Sequence, residues 1–174
     1  MAIVATKGAN YPVCPNGSHM GICIDVVDLG MVKSTYGEKT KTQHKIRVIW
    51  QTGEMRDDGK PFQISKRYTL SLHEKSTLRK DLESWRGRPF TDGELEGWDV
   101  ESVLGAGAML SVVQNASNGN VYANVAAIMK PPKGMPLPER DMLYVRVQDR
   151  PKDAEAQPGP DLGEWHADDD SVPF

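Results

Sequence analysis

No apolar run in these 174 residues approaches the ~18 needed to cross a bilayer, so the sequence offers no transmembrane helix. The opening Met1-Ala-Ile-Val-Ala-Thr-Lys7 is too short and too polar for a secretory signal. Cysteine is scarce. Cys14 and Cys23 are too few for a disulfide scaffold and fit a reducing compartment. Together these absences lead us to expect a cytoplasmic protein.

Catalytic spacings are missing too. Gly53 and Gly59-Lys60 sit one residue too far apart for a phosphate loop, and Pro61 replaces the hydroxyl residue that would hold magnesium. Gly105-Ala-Gly107 precedes a strand, the wrong context for a dinucleotide site. His73-Glu74 has no second His four residues on. Cys14, His19 and Cys23 do not have the spacing of a zinc knuckle, and no fourth ligand is evident. No Ser–His–Asp or Cys–His set can be defended. The expectation is a protein that is not an enzyme, with no cofactor and no metal.

What is present is the composition of one globular domain: 39% hydrophobic and 26% charged residues. The net charge of −3 hides an asymmetry. Residues 1–150 carry 20 Lys+Arg against 17 Asp+Glu, a net +3. Residues 151–174 carry Lys152 against seven acids, a net −6. A mildly basic body thus bears an acidic end.

Along the body the apolar period is first 2, then 3.6, then 2 again. Residues 20–32 and 43–52 read as strands, with a polar hairpin loop at 36–41 between them. Asp58-Gly59 marks a turn, and a third strand runs from 62 to 72. Leu78, Leu82 and Trp85 at i, i+4, i+7 predict a helix ended by Gly87, with Ser71-Leu-His-Glu74 as its capping box. Thr91-Asp-Gly-Glu94 is a second capping box. Residues 108–115 and 121–130 are two more strands, joined across Asn118-Gly119. A stiff Pro-rich connector follows from 131, and Leu143-Tyr-Val-Arg-Val147 reads as one last strand. Residues 150–174 have no apolar period and read as a disordered acidic tail.

Three strands, a helix and two strands is the order of an OB-fold, a five-stranded Greek-key barrel that binds oligonucleotides or oligosaccharides. The expectation is therefore a mainly β chain. Residues 1–149 form the OB-fold nucleic-acid-binding domain, including the Pro-rich extension from about 131, and 150–174 form the tail.

Single-strand binding needs cations for phosphates and aromatic faces for bases. The second and third strands supply Lys45, Arg47 and Trp50, then Lys66, Arg67 and Tyr68. Trp50 shares parity with Ile46 and Val48, and Tyr68 with Ile64 and Leu70, so each is a candidate platform that the pattern also draws toward the core. Lys66 breaks the apolar parity, which suggests a bulge or a place at the barrel rim. Tyr36, Lys39 and Lys41 are candidates in the first hairpin loop, where they form either a finger over the strand or an ordinary soluble loop. Arg86 and Arg88, after the helix, are candidate phosphate contacts on a face that also reads as simply solvated.

The chain ends Asp168-Asp-Asp-Ser-Val-Pro-Phe174. An aromatic anchor with its own carboxylate, a stiffening proline and three acids make a tethered peptide ligand. Solubility alone requires no terminal Phe. The ending resembles the acidic tip, a few Asp followed by Ile-Pro-Phe, that closes bacterial and phage single-stranded DNA-binding proteins. Val172 stands where Ile is usual and Ser171 is an added polar residue. The stretch from Ser65 to Ser76, with Leu78-Arg-Lys-Asp-Leu and Trp85-Arg-Gly-Arg-Pro-Phe90, resembles small phage- and prophage-encoded proteins of the same expected fold.

The resemblance implies protection of single-stranded DNA without sequence choice in replication, recombination and repair, in a bacterial host cell if phage-encoded. It also implies recruitment of enzymes through Asp168, Asp169, Asp170, Val172, Pro173 and Phe174. One OB-fold contacts ~4–16 nucleotides, so tight coverage calls for a homo-oligomer or cooperativity along the strand. The body's small net charge keeps a second expectation open: an adaptor that docks a host pocket through the tip without binding DNA itself.

Overall fold

The computed structural model describes residues 12–151. Its elements are β1 (Gly17–Tyr36), β2 (Lys39–Met55), β3 (Pro61–Thr69), α1 (Thr77–Arg86), α2 (Asp92–Leu95), β4 (Gly107–Ser117) and β5 (Asn120–Met129). Short 3-10 turns lie at Val100–Val103 and Val147–Asp149. The chain is mainly β. All five strands form one antiparallel sheet in the order β3-β2-β1-β4-β5.

β1 is the spine of this sheet. It pairs with β2 from Gly21 to Tyr36 and with β4 from Gly17 to Ile22. Two register shifts, between Cys23 and Asp25 and between Asp28 and Gly30, bend it away from a flat course. The sheet curls until the edge strands β3 and β5 touch, and α1 packs on both. No ladder joins those edges, so the sheet is open.

The inner face carries the core. Ile46, Val48 and Trp50 of β2 meet Ile64 and Tyr68 of β3, Leu110 and Val112 of β4, and Val125 and Ile128 of β5. Into this cup α1 inserts Leu78, Leu82 and Trp85, with the Trp50 and Trp85 rings 5.7 Å apart and tilted by 58°. A ten-residue helix is marginal alone, so burial of these three side chains holds it, at about 1.5–3 kcal/mol for each large one.

Several local expectations need correction. The first hairpin closes through a two-residue turn, Gly37 and Glu38, with Gly37 at φ +58°. Lys39 and Lys41 therefore lie in β2, not in a loop. The cap of α1 is Ser76, whose hydroxyl accepts from the Arg79 N–H, because His73 and Glu74 belong to a turn before the helix. Gly87 ends α1 in the left-handed region, and Thr91 with Glu94 forms the second capping box as expected. Leu143-Tyr-Val-Arg-Val147 forms no strand. It is part of an irregular strap, residues 131–150, whose hydrogen bonds to the sheet go mostly to side chains rather than to a strand edge. The acidic tail from residue 152 lies outside the described residues. No helix among the described residues is long and apolar enough to cross a membrane.

Candidate nucleic-acid interface

β2 pairs without interruption from Lys39 to Thr52, so its side chains alternate strictly between two faces. Ile46, Val48, Trp50 and Thr52 point into the core. Lys39, Lys41, Gln43, Lys45, Arg47, Ile49 and Gln51 take the outer face. Directly opposite residues share a face across an antiparallel pair. Tyr36 stands opposite Lys39, Ser34 opposite Lys41, Thr69 opposite Lys45, and Arg67 opposite Arg47. Six of the eleven candidate DNA-binding residues thus lie along one face: Tyr36, Lys39, Lys41, Lys45, Arg47 and Arg67. Four β2 cations span about 27 Å at roughly 3.4 Å per residue, and Arg67 widens the stripe where it meets β3. Lys45 Nζ donates to Thr69 Oγ1 at 2.8 Å, which fixes its stem against the neighbouring strand.

The stripe's upper part runs onto an arm. β3 pairing ends at Lys45 and β4 pairing ends at Ile22, so residues 31–44 form a two-stranded ribbon beyond the body. Such a ribbon is marginal alone and can adjust to a ligand. Its base is tied by His44 Nε2 to Asp28 Oδ1 at 2.6 Å.

The lower end of the same face is roofed by the strap. Gln51 donates through Nε2 to the Glu139 carbonyl at 2.6 Å and accepts from the Asp141 N–H at 2.8 Å. Asp25, 1% exposed, accepts from Tyr144 Oη, from Arg146 Nε and from the Val147 N–H at 2.8–3.0 Å. Arg146 also reaches the Val26 carbonyl and Glu101. Ile49 and Gln51 are buried there although they point outward. Gly107 lies under Leu137, where a Cβ would collide with the leucine's terminal methyls.

Five candidates stand elsewhere. Trp50 is 0% exposed and Tyr68 is 3% exposed, so neither ring offers a face to a base, and their expected stacking role is corrected to a core role. Burial pushes the Tyr68 phenol well above its ordinary 10, and neighbouring Asp81 adds to this. Its hydroxyl donates to Asp81 at 2.7 Å. Lys66 sits opposite Val48 in an unbroken register, so it faces α1 rather than occupying a bulge. It pairs with the same Asp81 at 2.8 Å and lies 5.3 Å from the Tyr68 ring centre. Arg86 and Arg88 lie on the core side, away from the stripe, and both hold Glu94, at 2.8 and 3.3 Å. Arg86 also covers the Phe90 ring at 4.5 Å. The Arg86 hydrogen bonds, then that from the Thr91 N–H, hold the Glu94 carboxyl down at about 2. These two arginines brace α1 against α2. Asp168, Asp169, Asp170, Val172, Pro173 and Phe174 lie outside the described residues.

Sequence reasoning missed the Asp25, Gln51, Tyr144 and Arg146 cluster. The available signal was an acid inside the apolar run from Ile22 to Val27, which demands a partner if buried. Both cysteines are buried, and burial pushes their thiols up to about 11 for Cys14 and about 12 for Cys23, so they stay protonated. Among the described residues no group of three or more His, Cys, Asp or Glu could hold a metal. What the outer face can do chemically is hold an extended polyanion by point charges. Compared with known proteins, the sequence matches no protein-family model and no curated protein.

Proposed function

We propose that the chain is a single-stranded DNA-binding protein built on an OB-fold, which protects single strands in phage DNA replication or recombination and recruits enzymes through its C-terminal tip. The observation that carries the reading is the stripe: Lys39, Lys41, Lys45, Arg47 and Arg67 on one face of one sheet, with Tyr36 at its end. The order of three strands, a helix and two strands agrees with it, as does β1 pairing with both β2 and β4. A mobile-length backbone of phosphates needs repeated cations and no fixed base pattern, and alternate residues of one strand provide that. The ending Asp-Asp-Asp-Ser-Val-Pro-Phe supports recruitment by its chemistry: an aromatic carboxylate end for a pocket with a basic rim.

The test is fluorescence anisotropy of labelled oligo-dT with the full chain, at low and moderate salt, beside a duplex of equal length. Sub-micromolar binding that weakens with salt and discriminates against duplex is expected. No binding to oligo-dT overturns the reading and leaves the adaptor role.

A further inference from the structure

We infer that Met142 and Leu143, at the tip of the strap, are the base-contacting platform of the single-strand interface. The inference rests on the single-strand reading above and names which residues meet the bases. Met142 is 90% exposed and Leu143 86% exposed, more than any other large apolar residue described. They occupy the centre of a tight turn. The Tyr144 N–H donates to the Asp141 carbonyl at 3.1 Å, and the Leu143 N–H donates to Asp141 Oδ1 at 2.9 Å. Turn centres ordinarily take Gly, Asn, Asp, Pro or Ser, so two large apolar residues here run against local preference.

Both ends of this turn are fixed to the roofed end of the outer face. Asp141 is held by Gln51, and Tyr144 is held by Asp25. Gln51 lies four residues from Arg47 on the same face of β2, about 14 Å along the strand. The exposed pair therefore stands at the lower end of the cation stripe, and Tyr36 stands at its upper end. Trp50 and Tyr68 are enclosed on the other face and offer no ring to a strand lying along the stripe; besides half-buried Val27 and Val32, opposite Arg47 and Gln43, the apolar side chains it meets stand at the two ends.

Charge at the turn itself is mixed. Arg140 flanks the turn and is exposed, and Arg150 lies against the Tyr144 ring at 5.5 Å. Glu139 and Asp141 stand beside the turn too, so what favours a polyanion over a neutral peptide is the turn's place at the end of the cation stripe. Thioether and aliphatic side chains pack against base faces without demanding one base, which suits binding without sequence choice.

The experiment compares the full chain with Met142→Ser/Leu143→Ser on two labelled oligonucleotides, oligo-dT and an abasic strand of equal length. Thermal unfolding and sedimentation are followed in parallel. Both side chains are exposed, so the melt is expected to stay unchanged. The wild type should prefer oligo-dT to the abasic strand. The variant should lose roughly fivefold or more in oligo-dT affinity while its abasic affinity and salt slope stay put. Unchanged oligo-dT binding overturns the inference. So does a wild-type dimer that the variant dissociates with no change in DNA affinity, since the occupant is then a second copy. Failure of the wild type to bind either oligonucleotide removes the single-strand reading itself.

Discussion

Replacing Asp25 with alanine tests how the strap is held. The carboxylate is 1% exposed and accepts three hydrogen bonds, one of them from a guanidinium at 3.0 Å. Asp25→Ala leaves Tyr144 Oη, Arg146 Nε and the Val147 N–H without that acceptor. Removing one partner of a buried pair costs about 3–5 kcal/mol. Arg146 keeps Glu101 at 3.2 Å and the Val26 carbonyl, so the lower end applies, about 3 kcal/mol. At about 3 °C per kcal/mol for a body of this size, the melting midpoint should fall by about 9 °C. Two assays separate whole-body loss from local release. Circular dichroism gives the midpoint, and amide hydrogen exchange reads Leu143, Tyr144 and Val147. If the strap lifts and its polar groups are hydrated, the midpoint falls less and exchange at those amides rises instead. Arg146→Met in the Asp25→Ala background should recover part of the loss, because the stranded guanidinium is then gone. A midpoint lowered by under about 3 °C with exchange at these amides unchanged would refute Asp25's hold on the strap.

Trp50→Phe should leave oligo-dT affinity within about twofold, because the enclosed ring meets no base, while Trp50→Ala destabilises the body by about 3–5 kcal/mol as a core truncation does. A large affinity loss for Trp50→Phe with an unchanged melt contradicts the core assignment. The Glu94 carboxyl falls from its ordinary 4.5 to about 2 on folding, so its stabilisation is complete above pH 4.5 and is lost as pH falls toward 2. Acid titration followed by circular dichroism should therefore show a weaker loss of stability across that window in Glu94→Gln than in the wild type, and equal acid sensitivity contradicts the Arg86–Glu94 brace.

Local signals carried most of the strand and helix order. Asn118 and Gly119 both adopt positive φ, 49° and 78°, which is why that dipeptide announced the second hairpin. The three-residue apolar stripe of α1 survives intact in the core. The inward pull on Trp50 and Tyr68 was legible from parity, yet parity alone could not rank it above a binding role. The first hairpin stands where expected, but its loop read too long because polar Lys39 to Lys41 look like loop, while cross-strand pairing on an exposed ribbon needs no apolar residue. Lys66 was illegible because its partner, Asp81, arrives from α1 fifteen residues later. The strap was hidden for the same reason on a larger scale. Tyr144 and Arg146 meet Asp25 across roughly the whole body, and no period along the chain encodes that meeting. The cation stripe was half visible: its members stood out by type, and only the unbroken register of β2 set them on one face.

The central claim is that this face grips phosphates. The measurement is the salt dependence of oligo-dT affinity for the wild type and for Lys39→Ala/Lys41→Ala/Arg47→Ala/Arg67→Ala, followed by anisotropy. Each lost phosphate contact should flatten the slope of log K against log salt by about 0.7, so the fourfold variant should lose about 2–3 from its slope together with most of its affinity, while its fold persists by circular dichroism. An unchanged slope and affinity in that variant would contradict the account.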